Sequence, residues 1–233
     1  MLITCILTSF NRPNLVRQSL QSLKAQTYQH FELLVMDDSS VFDIKPVVDS
    51  FKFGRVKVFH TDVTPHERAT TNRLGINCNR GLSIATGDLV CFLCDDDYYF
   101  PNWFEMAVHW FKTKKSHHPY AQVGYGRLVY SGSMDMVYPS QPQRWPGKPI
   151  ERPGCVLDHN QVIHERMKIP VRWPEGAHDP GTPDAAYFNA VARTGFVFYP
   201  MDAYAVVKRT HSKNLQGTWA SEISKGLAEN VRE

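Results

Sequence analysis

The sequence predicts an α/β protein built on a mostly parallel central sheet with helices on both faces. Three observations carry this. Four short apolar segments alternate with helical stretches through the first hundred residues, the pattern of a parallel sheet with crossover connections. The strand segments are almost continuously apolar, as strands buried on both faces must be. Two carboxylate clusters, Asp37-Asp38 and Asp95-Asp96-Asp97, directly follow strand segments, at the edge where open α/β sheets bind ligands.

The elements follow in order. Ile3–Thr8 is β-rich and lacks both the basic leader and the small-residue cleavage site of a signal peptide, so it is expected as a strand. Asn11 is a plausible cap, Pro13 suits a first helical turn, and Val16, Leu20 and Leu23 share one face, predicting a helix to about Gln26. Strands are expected at Phe31–Met36 and Val56–Phe59. A long helix is expected from Arg68 to Ala85, with Leu74, Cys78, Leu82 and Ala85 on one side and Gly87 as its stop. Leu89–Cys94 is the fourth strand. A helix follows over Asn102–Lys114, then strands at Ala121–Tyr130 and Met136–Tyr138. Five prolines between Pro139 and Pro153 predict a loop. Asp184–Arg193 is a short helix, and Val197–Tyr199 and Tyr204–Arg209 are strands. From Thr218 onward Trp219, Ile223, Leu227 and Val231 have helical spacing with a mixed-charge polar face, which favours packing on the domain or a partner over a membrane.

Composition excludes several classes. With 42% hydrophobic and 21% charged residues in 233, the chain is neither collagen-like nor disordered. A net charge of 26 − 23 = +3 is too mild for a nucleic-acid protein recognised by charge, so no nucleic-acid partner is expected. No apolar run approaches the ~18–20 residues of a transmembrane span. Five scattered cysteines, an odd number, point to a reducing compartment. Cys91 and Cys94 form a CxxC, but on a strand residues three apart face opposite sides, and there is no second pair.

Adjacent carboxylates at Asp95–Asp97 repel unless a positive group or water intervenes. A divalent cation carrying phosphate oxygens is a natural counterion. The competing reading is a solvated turn in which Asp97 helps to cap the next helix. Thr182-Pro183-Asp184 is likewise a good helix start, where an acid is favoured by the dipole. Phe10, close to an apolar strand segment, is read as a core residue.

Combined motifs go further. Ile3–Pro13, Gln26-Thr27-Tyr28, Phe31-Glu-Leu-Leu-Val-Met-Asp-Asp-Ser-Ser, Ala85-Thr-Gly-Asp and the Asp-rich end of the fourth strand resemble the family 2 glycosyltransferases of the GT-A fold. His66-Glu-Arg-Ala-Thr-Thr-Asn-Arg73, Cys155-Val-Leu-Asp-His159 and Pro183-Asp184-Ala-Ala-Tyr-Phe resemble the bacterial spore-coat polysaccharide branch of that family. The similarity covers most of residues 2–212. It implies an inverting sugar transfer from a nucleoside diphosphate sugar, UDP- or dTDP-linked, to a carbohydrate or glycoconjugate acceptor, with Mn²⁺ or Mg²⁺. By position, Thr8, Phe10, Arg12, Asp38, Arg73 and Asp95 would hold the nucleotide, with Phe10 on the base, Asp38 reading the pyrimidine N3–H and Asp95 on the ribose. Asp96 would ligate the metal, with either Asp95 or Asp97 sharing it, and His211 would close over the diphosphate beside the metal. Asp184 would be the catalytic base, with Asp158 the second candidate. Residues 1–100 would be the nucleotide-sugar half, 101–212 the acceptor half of the same domain, and 213–233 a helical tail. A cytoplasmic location, or one peripheral to membrane or envelope assembly, follows.

This sequence carries Pro183 just before the proposed base and a third acid at Asp97, where such motifs vary. Two alternatives are weighed. A sugar-1-phosphate nucleotidyltransferase needs a Gly-rich turn after strand one, whereas this turn is Thr8-Ser-Phe-Asn-Arg-Pro. A catalytically inactive sugar-nucleotide or glycan-binding module would keep the fold, against which Asp96 and Asp184 are both intact.

Overall fold

The structure, a computed structural model, describes residues 1–113, 118, 120–131, 143–144, 146–154, 156–176 and 183–209. In chain order it runs β1 (Ile3–Ser9), α1 (Pro13–Lys24), β2 (Phe31–Asp37), α2 (Lys45–Asp49), β3 (Val56–His60), α3 (Pro65–Thr70), α4 (Arg73–Ile84), β4 (Leu89–Cys94), β5 (Asp97–Tyr99) and α5 (Trp103–Thr113). It continues with β6 (Val123–Ser131), β7 (Gln143–Arg144), β8 (Val162–Glu165), α6 (Pro183–Arg193) and β9 (Phe198–Arg209). One mixed sheet carries the strands in the order β3-β2-β1-β4-β8-β6-β9-β5, with β7 added to β6. The β3-β2-β1-β4 block is parallel. β8 joins it antiparallel to β4.

Alternation along the strands feeds two cores, as the two-residue period requires. Ile3, Cys5, Leu7, Leu33, Val35, Cys91 and Leu93 pack with Val16, Leu20 and Leu23 of α1 and with Trp103, Phe104 and Phe111 of α5. Ile6, Leu34, Met36, Val90 and Phe92 face the other way, against Cys78 of α4 and Tyr187, Phe188 and Val191 of α6. Parallel strands buried on both faces explain the unbroken apolar runs.

Several expectations need correcting. The long helix is two, α3 and α4, because Thr71 is extended and bridges Gly176. Asn72 then starts α4 afresh: its Oδ1 accepts the Gly75 N–H at 3.1 Å, while its Nδ2 donates to the Pro174 carbonyl at 2.8 Å. Two consecutive threonines followed by Asn form a poor helix interior and a good cap. Asn11 does not cap α1. It has φ 52° and ties two loops together, its N–H donating to Ser40 Oγ at 2.9 Å and its Oδ1 accepting the Val41 N–H at 2.8 Å. Asp97 does not cap a helix, because it begins β5 and pairs with Lys208 of β9.

The two expected C-terminal strands are one, β9, running through Pro200. That proline lies opposite Tyr125, where the β6–β9 register shifts, and such irregularities are where a strand tolerates proline. Within the proline-rich loop, Gln143–Arg144 pairs with β6 and Ile150 bridges Phe198. The short strands β5 and β8 and helix α2 had no periodic signal of their own. Met136–Tyr138, His211 and the tail from Thr218 lie outside the described residues.

His164 of β8 gives the fold a pH dependence. It is 2% exposed, with Nε2 3.4 Å from the Tyr187 hydroxyl. Burial pushes it down to about 4 from an ordinary 6.5. Between those values the unfolded chain binds a proton that the folded chain refuses. Stability should therefore fall as pH drops through this window, by roughly 3 kcal/mol from this group. Urea unfolding of wild type and His164→Gln at pH 7.5 and 5 checks this. The variant should lose less stability on acidification, and an equal loss in both would refute the assignment.

Candidate active site

The strand registers bring the functional loops together. Ser9 lies opposite Asp37, and Thr8 lies opposite both Met36 and Cys94. The segments after β1, β2 and β4 therefore leave the sheet side by side. Asp95 fastens the first of them: its Oδ2 accepts from the Ser9 hydroxyl at 3.0 Å and the Phe10 N–H at 2.9 Å. Arg12 Nη1 bridges Asp95 Oδ1 at 3.0 Å and Asp96 Oδ2 at 2.8 Å. Thr8 Oγ1 lies 3.9 Å from Cys94 Sγ.

At one end of this edge Phe10 is 38% exposed, so it is not a core residue. The Arg68 guanidinium lies 3.8 Å from its ring centroid. Arg68 also donates to Asp38 Oδ2 at 2.7 Å. Asp38 Oδ1 accepts from Arg73 Nε at 3.0 Å, Arg73 Nη2 at 2.8 Å and Asn77 Nδ2 at 2.9 Å. Burial opposes ionisation of Asp38, but Arg73, Asn77 and Arg68 hold it below the usual carboxylate range. The break between α3 and α4 matters here, since it lets arginines from both helices converge on one carboxylate. Arg73 thus meets Asp38 rather than solvent.

In the middle, Asp97 is sealed in. Its Oδ2 accepts from Asn160 Nδ2 at 2.9 Å and its Oδ1 from the Arg209 N–H at 2.9 Å, with Lys208 Nζ 3.7 Å away. Burial, with Asp96 beside it, pushes Asp95 up to about 6. Burial, with Asp96 and Asp158 nearby, pushes Asp97 up to about 7 despite Lys208. Three acids stand side by side here, with Arg12 on Asp95 and Asp96 and Lys208 3.7 Å from Asp97. Hard carboxylate oxygens so grouped fit a divalent cation. Asp96 is the most exposed of the three, at 8% against 2% for Asp95 and 1% for Asp97, with Arg12 on its Oδ2.

At the other end, Asp158 caps a 3-10 turn at His159–Gln161. It is 3% exposed and pairs with Lys208 Nζ at 2.5 Å. Burial opposes its charge, yet Lys208 and His159 keep it well below the usual carboxylate range. Asp184 lies in the first turn of α6 with its side chain 23% exposed. Of the two candidate bases it is the one open to an incoming hydroxyl. His159 stands between them, its Nδ1 3.8 Å from Asp158 Oδ1 and 3.8 Å from Asp184 Oδ2. Asp158, His159 and Asp184 offer ligand-type atoms within 4.8 Å of one another. The Lys208 ammonium already supplies the cation there, so the trio suits proton handling better than a metal.

Sequence reasoning missed Arg68, Asn77, His159, Asn160, Lys208 and Arg209. Asn160 and Lys208 join the Asp97 and Asp158 carboxylates from sequence positions far apart. Arg209 donates through Nε to the Asp96 carbonyl. Arg68 and His159 do leave a trace in the sequence, since each lies in one of the family-like motifs, beside Arg73 and Asp158 respectively.

The model of glycosyl transferase family 2 matches residues 4–150. The chain belongs to this family. Protein CgeD of Bacillus subtilis (strain 168) is 32% identical over 170 residues, covering 72% of this chain and 39% of CgeD. The chain spans less than half the length of the curated relatives it matches. Among solved structures, S. aureus TarS 1–349 in complex with UDP-GlcNAc superposes with TM-score 0.70 at 18% identity, over 92% of this chain and 60% of that one. The mannosyltransferase PcManGT from Pyrobaculum calidifontis, in complex with GDP-Man and Mn²⁺, gives TM-score 0.60 at 15% identity, over 99% and 64%. These likenesses establish the GT-A fold of this family 2 member. No helix among the described residues is long and apolar enough to cross a membrane.

Proposed function

We propose that this protein is an inverting glycosyltransferase that moves a sugar from a UDP- or dTDP-sugar to a hydroxyl of a carbohydrate or glycoconjugate, assisted by Mn²⁺ or Mg²⁺. One observation carries the reading: Phe10 and Asp95 are joined by a 2.9 Å hydrogen bond, Cys94 next to Asp95 meets His159 at 3.1 Å, and His159 Nδ1 lies 3.8 Å from Asp184. It supports a base pocket, a diphosphate site and a proton acceptor on one edge of the sheet. The UDP-GlcNAc bound by TarS and the Mn²⁺ bound with GDP-Man by PcManGT are consistent with such a donor and metal.

In this reading the pyrimidine stacks on Phe10, replacing the Arg68 guanidinium, and its N3–H is read by Asp38. Asp184 takes the proton of the acceptor hydroxyl, whose oxygen attacks the anomeric carbon opposite the leaving diphosphate. The bond from that carbon to the diphosphate oxygen breaks as the new glycosidic bond forms. A divalent cation held by Asp96, with Asp95 or Asp97 alongside, would offset the charge of the diphosphate. Arg12 already spans the first two of these acids and adds positive charge at the same place. Positioning and electrostatics supply most of the rate.

A thermal-shift panel of UDP, dTDP, GDP and ADP with Mn²⁺ tests the pocket. Pyrimidine diphosphates should stabilise most. Phe10→Ala should weaken UDP binding by roughly 1–3 kcal/mol, the usual worth of a base on an aromatic face. Phe10 is partly exposed, so the variant should keep nearly all of its own stability. Equal shifts with ADP and UDP, or an unchanged UDP affinity in Phe10→Ala, would remove Phe10 and Asp38 from the pocket.

A further inference from the structure

His159 is a buried titratable group that joins the two ends of the site but is assigned no step in the mechanism above. Its side chain is 7% exposed, and its Nδ1 is fully buried without a hydrogen bond. Nε2 lies 3.1 Å from Cys94 Sγ. Nδ1 faces two carboxylate oxygens, Asp158 Oδ1 and Asp184 Oδ2, each at 3.8 Å. A lone pair on Nδ1 would point at negative charge from two sides. An N–H at that atom is attracted by both, whichever of Nε2 and Cys94 Sγ donates in their 3.1 Å contact.

The two carboxylates are not equivalent partners. Asp158 is paired with Lys208 at 2.5 Å, and its Oδ1 already accepts from the Asn160 N–H at 3.0 Å and Asn160 Nδ2 at 2.7 Å. Asp184 Oδ1 accepts the Ala185 N–H at 2.9 Å, while Oδ2 is the oxygen turned toward His159. The imidazole is also held in place. Trp173 meets it edge-on with centroids 5.7 Å apart, and Trp173 stacks on Tyr187 at 4.4 Å and 8°. Tyr187 is one turn along α6 from Asp184, so one aromatic stack fixes His159 relative to the helix that carries Asp184.

We propose that His159 is the positioning residue of Asp184: its Nδ1–H, drawn to the two carboxylates it faces, fixes the Asp184 carboxylate for removal of the acceptor proton. The proposal rests on Asp184 being the base. A hydrogen bond to one lone pair of Oδ2 leaves the carboxylate's remaining lone pairs to accept that proton. The 3.8 Å gap is short enough for a small Asp184 side-chain rotation to close it as the acceptor enters, since catalytic hydrogen bonds are often long before substrate binds.

Two substitutions separate the ring nitrogens. His159→Asn keeps an N–H donor near the Nδ1 position, and His159→Gln keeps one near Nε2. His159→Asn should retain kcat close to wild type. His159→Gln should lower kcat roughly 10- to 100-fold, the scale of a misplaced catalytic group, with donor KM unchanged. Asp184→Asn is assayed in parallel. If Asp184→Asn is inactive while both His159 variants behave alike, the positioning role is overturned and the base stands. If Asp184→Asn is active, base and positioning role fall together. Should the His159 variants not fold, ¹⁵N NMR of the wild-type ring decides. The proton should sit on Nδ1, and a proton found only on Nε2 overturns the proposal.

Discussion

Replacing Asp184 with Asn should lower sugar transfer by roughly 10²–10⁴-fold while leaving donor binding intact, the range general-base catalysis usually supplies. That is about 3–5 kcal/mol of activation free energy. The geometry favours a clean result. Asp184 Oδ1 accepts the local backbone N–H of Ala185 at 2.9 Å, and the amide oxygen of Asn can accept the same bond. The side chain is 23% exposed, so the isosteric change disturbs little packing. Asp158→Asn is the comparison, and it should behave differently. Lys208 loses a buried carboxylate partner at 2.5 Å, so stability should fall by about 3–5 kcal/mol, as when one member of a buried pair is removed. Turnover per folded molecule should nevertheless stay high. If Asp158→Asn stops transfer per folded molecule while Asp184→Asn approaches wild-type turnover, the two carboxylates exchange roles. The product's anomeric coupling in proton NMR checks the stereochemistry separately, and retention would remove the direct-displacement mechanism.

The parallel half of the fold was legible because its strands are buried on both faces. Ile3–Thr8, Phe31–Met36 and Leu89–Cys94 are apolar runs that match the observed strands to within a residue. Their C-terminal ends then predicted where polar chemistry would gather. The helix break at Thr71 was not legible, because Leu74, Cys78 and Leu82 continue a helical period while the interruption depends on Asn72 bonding to Gly75 and Pro174. β5 and β8 are three and four residues long. Segments this short are decided by neighbours such as Lys208 and Val123 rather than by their own pattern.

The site divides in the same way. Residues near a strand end, such as Phe10, Arg12, Asp38, Asp95 and Asp96, could be named from local motifs. Those that enter across the sheet could not. Lys208 reaches Asp158 over 50 positions and Arg209 reaches Asp97 over 112. No spacing rule connects such pairs. Nor did the sequence show that Asp97 is sealed in, its side chain locked by Asn160 and the Arg209 N–H, while Asp96 meets Arg12 at the rim of the cluster.

That difference within the Asp triplet sets the other large effect. Asp96→Ala should abolish the extra stabilisation that Mn²⁺ gives to the UDP complex, about 2.7 kcal/mol at 100 times Kd for any ligand that binds only the folded state. Transfer should fall by roughly 10²–10⁴-fold, since charge offset at a leaving group is worth several kcal/mol. The fold should survive. Asp96 is at the rim of the cluster, Arg12 keeps its 3.0 Å contact with Asp95, and removing one of three adjacent acids relieves their repulsion. Asp97→Asn is the contrasting variant: an amide can keep only part of the hydrogen bonding around that buried side chain, so it should lose stability while retaining a metal-dependent shift with UDP. Calorimetric titration of UDP with and without Mn²⁺ separates the two positions. If Asp96→Ala binds UDP with unchanged affinity and unchanged metal dependence while Asp97→Asn does not, the metal belongs to Asp97. If wild type transfers sugar equally well in EDTA, no metal is needed, and Arg12 with the neighbouring basic side chains must offset the leaving diphosphate alone.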